Sequence, residues 1–295
     1  MAADEVLDDP SGSAAAPVAV SAPSGPTGPT AAGELRVLWE ARGLFWALTL
    51  NDLKVRYLGS SIGLFWAIVN PVIEIATYTF VFHVLLDVRF HTGQTTGQYV
   101  LFLLCGMVAW HGFADGLVRA TTVITSHAHL IRKVNFPAVV LPAQVVAAAG
   151  VNQLFRTAVL LVACILIGDG LTWHALLLAP FLVAQALFAL GVGMFLSVLH
   201  VYFRDVGHWV NAALMIGLFV TPVVYPASAY PREFSMLLYP NPMAQYIGIY
   251  QNLLLGHRLP TALTSVLYAL LAAGVALVVG ASVFAHNRRR FADLV

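Results

Sequence analysis

Charge is what this sequence has least of. Of its 295 residues, 10% are Asp, Glu, Lys or Arg and 59% are hydrophobic, against about 25% charged in a soluble domain. So little charge places the chain in a bilayer rather than in water. Cysteine is nearly absent too: Cys105 and Cys164 both fall inside apolar runs. Buried singly they serve as small hydrophobes, and two are too few for a zinc site. No stretch fits the phosphate-cradling G-x-x-x-x-G-K-[ST], no H-E-x-x-H is present, and no motif gathers a Ser, a His and an acid. These absences leave no candidate catalytic residue, no metal site and no ATP site on this chain, and no nucleic-acid partner is expected. Whatever the protein drives uphill takes its energy from an ion gradient or from a partner.

Residues 1–33 lack cations altogether and carry Asp4, Glu5, Asp8 and Asp9, which excludes a signal peptide. From Ser11 to Gly33 every residue except Val18 and Val20 is Ala, Gly, Pro, Ser or Thr. Such a stretch buries too little apolar surface to offset its ordering entropy, so it reads as a disordered cytoplasmic tail.

Beyond the tail lie six apolar runs long enough to cross a bilayer, near 63–86, 99–118, 138–167, 174–199, 209–226 and 262–285. A seventh, 234–255, is broken by Pro240-Asn241-Pro242. Neither half spans alone, but two half-helices that dip in and return would fit. With six spans and both ends on one side, eleven of the fifteen Lys and Arg share that side. The other side holds Arg89, Arg232 and Arg258, and Arg156 is inside a span. The imbalance makes both termini cytoplasmic, whereas a seventh crossing would put Arg288, Arg289 and Arg290 outside.

The expected fold is therefore an all-α integral membrane protein of three parts: the tail 1–33, an amphipathic interface helix 34–57, and a six-span unit 58–295. The interface helix shows Leu35, Leu38, Trp39, Phe45 and Trp46 on one side and Arg36, Glu40 and Lys54 on another, with Gly43 as a weak point. Its apolar side lies on the inner leaflet or packs on the spans; both readings stand. Glu74 and Arg156 are ionisable groups near mid-membrane, where they either pair or separately face a watery channel. Trp66, Trp173 and Trp209 sit near span ends and suit interface anchors, while Trp110 lies deeper.

The stretch SHAHLIRKVNFPAVVLP, 126–142, is short, charged and half apolar. Ser126 is expected to cap two turns of helix over 127–134, ended by Pro137 before the third span. Leu130, Ile131, Val134 and Phe136 beside Arg132 and Lys133 would then form a knob with an apolar tip and a basic rim. That suits docking into a partner's groove; alternatively the two cations anchor the inner leaflet. In the other inner loop, Arg204-Asp205 is either a second contact or a local ion pair.

Four stretches, in order, resemble the permeases of ABC polysaccharide exporters: YLGSSIGLFWAIVNPV (57–72), LIRKVNFPAVVLP (130–142), YFRDVGHWVNAALMIGLFVTPVVYP (202–226) and NPMAQYIGIYQNLLL (241–255). The tail is not part of that pattern. The resemblance implies a homodimer in the bacterial inner membrane with two separate ATP-binding subunits, which would hold ATP and Mg. It implies a lipid-linked polysaccharide as substrate: O-antigen, teichoic acid or mycobacterial galactan, here a polyprenyl-diphosphate-linked cell-wall galactan or O-antigen-like glycan. It assigns coupling to Leu130, Ile131, Arg132, Lys133, Phe136, Pro137, Arg204 and Asp205. In its motifs, Trp66, Pro71, Thr221, Pro222, Tyr225, Asn241 and Pro242 are expected at the channel and gate; Glu74 and Arg156, by their depth, and Tyr78 and Trp110, as aromatic sliding faces for sugar rings, are expected there too. A side door between the first and fifth spans is expected where Pro71 and Pro222 loosen their helices. Competing readings are an ion-driven transporter, which would show internal repeats and more midplane ionisable groups, and an ABC permease for a small molecule or drug.

Overall fold

The computed structural model describes residues 30–58, 96–132, 136–168, 170–227, 240–255 and 263–295, with isolated positions between 65 and 85 and at 230, 233 and 238. The expected tail, most of the first expected span, and the side chains of Trp66, Pro71, Glu74, Tyr78 and Lys133 lie outside the described residues. All regular structure among the described residues is helical. We label the helices α1 (Ala31–Glu40), α2 (Arg42–Leu58), α3 (Thr96–Ser126), α4 (Ala128–Ile131), α5 (Val140–Ile167), α6 (Leu178–Tyr202), α7 (Val206–Val220), α8 (Pro242–Leu255), α9 (Leu263–Asn287) and α10 (Phe291–Leu294).

α3 is the axis of the bundle. From Leu101 to Trp110 it has no polar side chain, and every one of those residues is buried. A helix apolar on all sides is one that other helices surround. α5 and α6 pack along α3, α9 packs on α6, and the short α8 contacts both α3 and α9. The outer faces of α5 and α9 expose Leu154, Val162, Ile165, Leu166, Leu267, Leu271, Val275 and Val278. An exposed face without polar groups is what a lipid-facing surface requires. The segments 97–126, 140–167, 173–202 and 263–290 are long and apolar enough to cross a membrane, matching four of the six runs read from the sequence.

The fifth expected span differs. α7 has 15 residues, about 22 Å, and stops at Val220 rather than continuing to 226. Thr221 takes an extended conformation (φ −86°, ψ 140°) because the following Pro222 crowds a helical residue before it. α8, at 14 residues, reaches about 21 Å and cannot cross on its own. The interface helix differs too, being two helices that meet at Ala41 and begin at Ala31, where the Thr30 hydroxyl accepts from Gly33 N at 3.2 Å. One side packs on the bundle and the other does not. Val37, Leu38 and Phe45 pack against the core, while Trp39, Trp46, Leu50 and Val55 stay exposed.

α6 and α9 cross at backbone contact. A Cβ at Gly280 would lie 1.9 Å from the Gly191 carbonyl oxygen, and one at Gly191 would lie 2.3 Å from the Ala276 carbonyl carbon. Close approach through small residues is a main source of helix association where lipid competes for apolar surface. Replacing Gly280 with alanine is expected to cost about 1–3 kcal/mol through overpacking, seen as a lowered thermal midpoint in detergent. Gly274→Ala on the same helix, where nothing lies within 4 Å, should hold or slightly raise the midpoint, since alanine favours a helix interior over glycine.

Candidate coupling face and cleft

The short charged stretch of the sequence forms one end of the bundle. α3 runs through Ser126, whose hydroxyl donates to its own helix, to Thr122 O at 2.9 Å and Val123 O at 3.2 Å. Ser126 is thus the end of α3 and not the cap of the next helix. His127 holds the cap position of α4 without a side-chain capping bond, its Nδ1 lying instead 3.0 Å from the Val123 carbonyl oxygen of α3, and α4 is a single turn. Leu130, Ile131 and Phe136 are half-buried against the core, and His129 and Arg132 face outward. Arg132 Nε donates to the Val295 main-chain oxygen at 3.1 Å, an η-nitrogen reaches the same atom, and α10 lies beside α4. Phe291 anchors that last turn, fully buried and edge-on to Phe284 at 5.1 Å. Pro137 leads into α5, its carbonyl accepting from Val140 N at 3.0 Å.

Arg204 and Asp205 occupy the exposed turn between α6 and α7. No ion pair joins them among the described residues. The Asp205 main-chain oxygen accepts from His208 N at 3.0 Å and Trp209 N at 3.1 Å, so its role here is to open α7.

The same end carries ion pairs between distant segments: Arg119 with Asp52, Arg56 Nη1 with Asp115 Oδ2 at 3.3 Å, and Arg288 Nη1 with Glu34 Oε1 at 2.8 Å. The last joins α1 to the end of α9, so the start and finish of the described chain meet at one rim. Glu34 is 2% exposed. Burial pushes its carboxyl above the ordinary 4.5, and the Arg288 guanidinium only partly offsets this.

Midway along the bundle, the predicted Asn241 and Thr221 meet. Asn241 Nδ2 donates to Thr221 Oγ1 at 2.8 Å, and its Oδ1 accepts from Met243 N at 3.0 Å. One side chain thereby caps α8, whose first residue Pro242 suits that position, and ties it to the end of α7. Thr221, Asn241, Pro242 and Trp110 line one apolar cleft of about 670 Å³, walled by Phe113, Leu117, Phe188, Leu196, Phe203, Val206 and Trp209. Pro222 is buried beside it. Tyr225 turns away, its hydroxyl donating to the Phe219 carbonyl at 2.5 Å. Arg156 is half-buried on α5, outside this lining, and its Nη1 has no partner among the described residues.

Sequence reasoning missed a buried polar knot. Gln153 Nε2 donates to Gln185 Oε1 at 3.2 Å and to the Tyr250 hydroxyl at 3.1 Å. That hydroxyl donates to Gln185 Oε1 at 2.7 Å, and Gln185 Nε2 donates to the Ala109 carbonyl at 2.6 Å. The available signal was Gln185 itself, a lone amide inside an apolar run, since a polar group at membrane depth needs a partner on another helix.

The sequence pattern of ABC-2 type transporters matches residues 43–255 of this chain. The chain belongs to that family. Among the relatives of this ABC-2 protein is a Myxococcus xanthus protein named O-antigen export system permease protein RfbA. It is 33% identical over 264 residues, covering 88% of this chain and 98% of the relative. A Klebsiella pneumoniae protein of the same name is 30% identical over 253 residues, 84% of this chain and 93% of its own. An ABC-2 membrane chain is a transport subunit rather than an enzyme, and it requires an ATP-binding partner. The matched stretch holds α2 to α8, including the whole knot and α4.

Two outcomes follow from the geometry of this ABC-2 subunit. Tyr250→Phe removes the only hydroxyl of the knot and is expected to cost about 0.6–2 kcal/mol, read as a fall in thermal midpoint. Glu34, with its folded value raised, binds its proton more tightly when folded. Its contribution is therefore complete below 4.5 and is lost as pH rises through the folded value. Wild type should gain on Glu34→Gln in thermal midpoint as pH falls from neutrality toward that value; the opposite slope would contradict the assignment.

Proposed function

We propose that this protein is the membrane permease of an ATP-driven exporter of a lipid-linked polysaccharide, an O-antigen-like glycan on polyprenyl diphosphate. The observation that carries the reading is the near end-to-end similarity to two permeases named for O-antigen export, one covered over 98% of its length. In this reading the chain is a homodimer with two ATP-binding subunits, which hold ATP and Mg. It crosses the bacterial inner membrane six times, with 63–86 as the first span, α7 with its turn as the fifth, and 234–255 dipping in from outside. The charged rim then faces the cytoplasm, as the cation excess requires, and α4 with Phe136 and Pro137 forms the contact for the ATPase, Lys133 and the Arg204-Asp205 turn flanking it.

The cleft lined by Trp110, Thr221 and Asn241 supports transport of a lipid-anchored substrate. Its walls are aromatic and aliphatic, which suits an isoprenoid chain, and aromatic faces offer sugar rings area without directional bonds that would hold them in place. Trp66, Pro71, Glu74 and Tyr78 of the first span complete the channel and its side door. Glu74 there is the proposed partner of Arg156.

Depleting the protein in its host tests the function. The expected outcome is a polyprenyl-diphosphate-linked glycan accumulating on the cytoplasmic side, with surface glycan falling in step. Normal surface glycan with an altered export profile for drugs or other small molecules would defeat the reading, as would proton- or sodium-driven transport by the chain purified without an ATPase.

A further inference from the structure

Two stretches far apart in the chain share a spacing. Asp52-Leu-Lys-Val-Arg56 lies on α2 and Asp115-Gly-Leu-Val-Arg119 lies on α3. An acid and a cation four residues apart stand on one helix face, one turn from each other. Two such faces are complementary when they meet in opposite directions, acid to cation at both ends. The structure shows that register: Asp52 pairs with Arg119, and Arg56 pairs with Asp115 at 3.3 Å. The four side chains are between 21% and 35% exposed, and one Asp52 oxygen and one Arg119 η-nitrogen are buried with no partner among the described residues. Parting the helices would leave partly desolvated charges unmatched.

The position of this crossed pair matters more than its strength, since half-exposed ion pairs add little to stability. Asp115 and Arg119 bracket Gly116, a residue that loosens a helix. From Arg119, α3 continues unbroken to Ser126 and passes through His127 into α4. α2 also packs on α5, the helix that leaves the same turn on its far side. α2 thus holds both helices that bracket 127–139, α5 by packing and α3 through ion pairs that stand on either side of Gly116.

We propose that Asp52, Arg56, Asp115 and Arg119 are positioning residues that form a rigid yoke. Through it, displacement applied to α4 by the ATP-binding subunit moves the interface helix α2 as one body with α3, rather than bending α3 at Gly116. The yoke rests on the reading of α4 to Pro137 as the ATPase contact. Its test must fail separately from that reading.

The experiment uses the complex co-purified with its ATP-binding partner, with spin labels at Lys54 on α2 and His129 on α4, both exposed. Distances are compared without nucleotide and after trapping with ADP and vanadate. In the otherwise unaltered complex the distance within a protomer should change by less than about 2 Å, the scale of a packed-helix adjustment. In Arg119→Asp it should shift by more than that and broaden. The swapped pair, Asp52→Arg with Arg119→Asp, should restore the narrow, unchanged distance. The yoke is overturned if trapping moves the labels apart in the unaltered complex, if Arg119→Asp keeps a fixed distance, or if the swap restores nothing. Where Arg119→Asp does not fold, the swap decides alone, with recovered yield and distance in support and failure to fold against. Phe136→Asp tests the underlying contact separately: normal recovery of the ATPase with that variant would sink the docking reading, whatever the labels show.

Discussion

Three side chains at the centre of the bundle hold four helices in one arrangement. Gln153 of α5, Gln185 of α6 and Tyr250 of α8 close a triangle of hydrogen bonds, and Gln185 extends it to the Ala109 carbonyl of α3. Away from water each unmet donor or acceptor is costly. Depth and rotation of the four helices are therefore set together, because turning any one of them breaks a bond that nothing nearby replaces. α8 depends on this most, being too short to span a bilayer on its own. α3 makes room for the knot at Gly112, where a Cβ would fall 2.2 Å from the Gln153 Cδ.

Apolar packing alone would not select this arrangement, because lipid chains satisfy a leucine as well as a neighbouring helix does. The bundle uses two further devices at different places. α6 and α9 come to backbone contact at Gly191 and Gly280, an approach no lipid can imitate. At the charged rim, Asp52, Arg56, Asp115, Arg119, Glu34 and Arg288 tie α1 and α2 to α3 and to the end of α9. Knot, crossing and rim share no residue.

The sequence was most legible where one physical rule dominates. The run 138–167 became Val140–Ile167 because a bilayer demands an unbroken apolar stretch and Pro137 marks its start. The run 99–118 was read too short for a specific reason. Residues 119–126 are polar enough to resemble a loop, yet Thr121 and Ser126 bond back to carbonyls of their own helix, Leu117 O at 2.7 Å and Thr122 O at 2.9 Å. The same bonds removed Ser126 from its expected capping role. Of the candidate site, Asn241, Thr221 and Pro242 stand in the family-like stretches and Trp110 was singled out as a deep aromatic; the four line one cleft. The knot was not legible, since its members stand 32, 65 and 97 positions apart and no local period connects them. The D-x-x-x-R spacings on α2 and α3 were visible, but which cation meets which acid is decided by how the helices cross.

Counting cations from sequence treats each as a free charge facing an anionic surface, and the structure divides them. Arg56, Arg119 and Arg288 are matched to carboxylates and Arg132 to a main-chain oxygen. Arg42 lies over the Trp39 ring at 5.6 Å. Arg204, Arg289 and Arg290 are exposed, and no ion pair engages them among the described residues. During insertion, before any helix has packed, all of these charges bias orientation alike. Once the bundle closes, the matched set ties distant segments together, and the charge not engaged in ion pairs among the described residues includes Lys54 on α2, Arg204 at the α6–α7 turn and Arg289 and Arg290 after α9. One group of residues thus serves topology first and architecture afterwards. A smaller group keeps its charge available to whatever approaches the rim, next to the turn that carries Leu130 and Phe136.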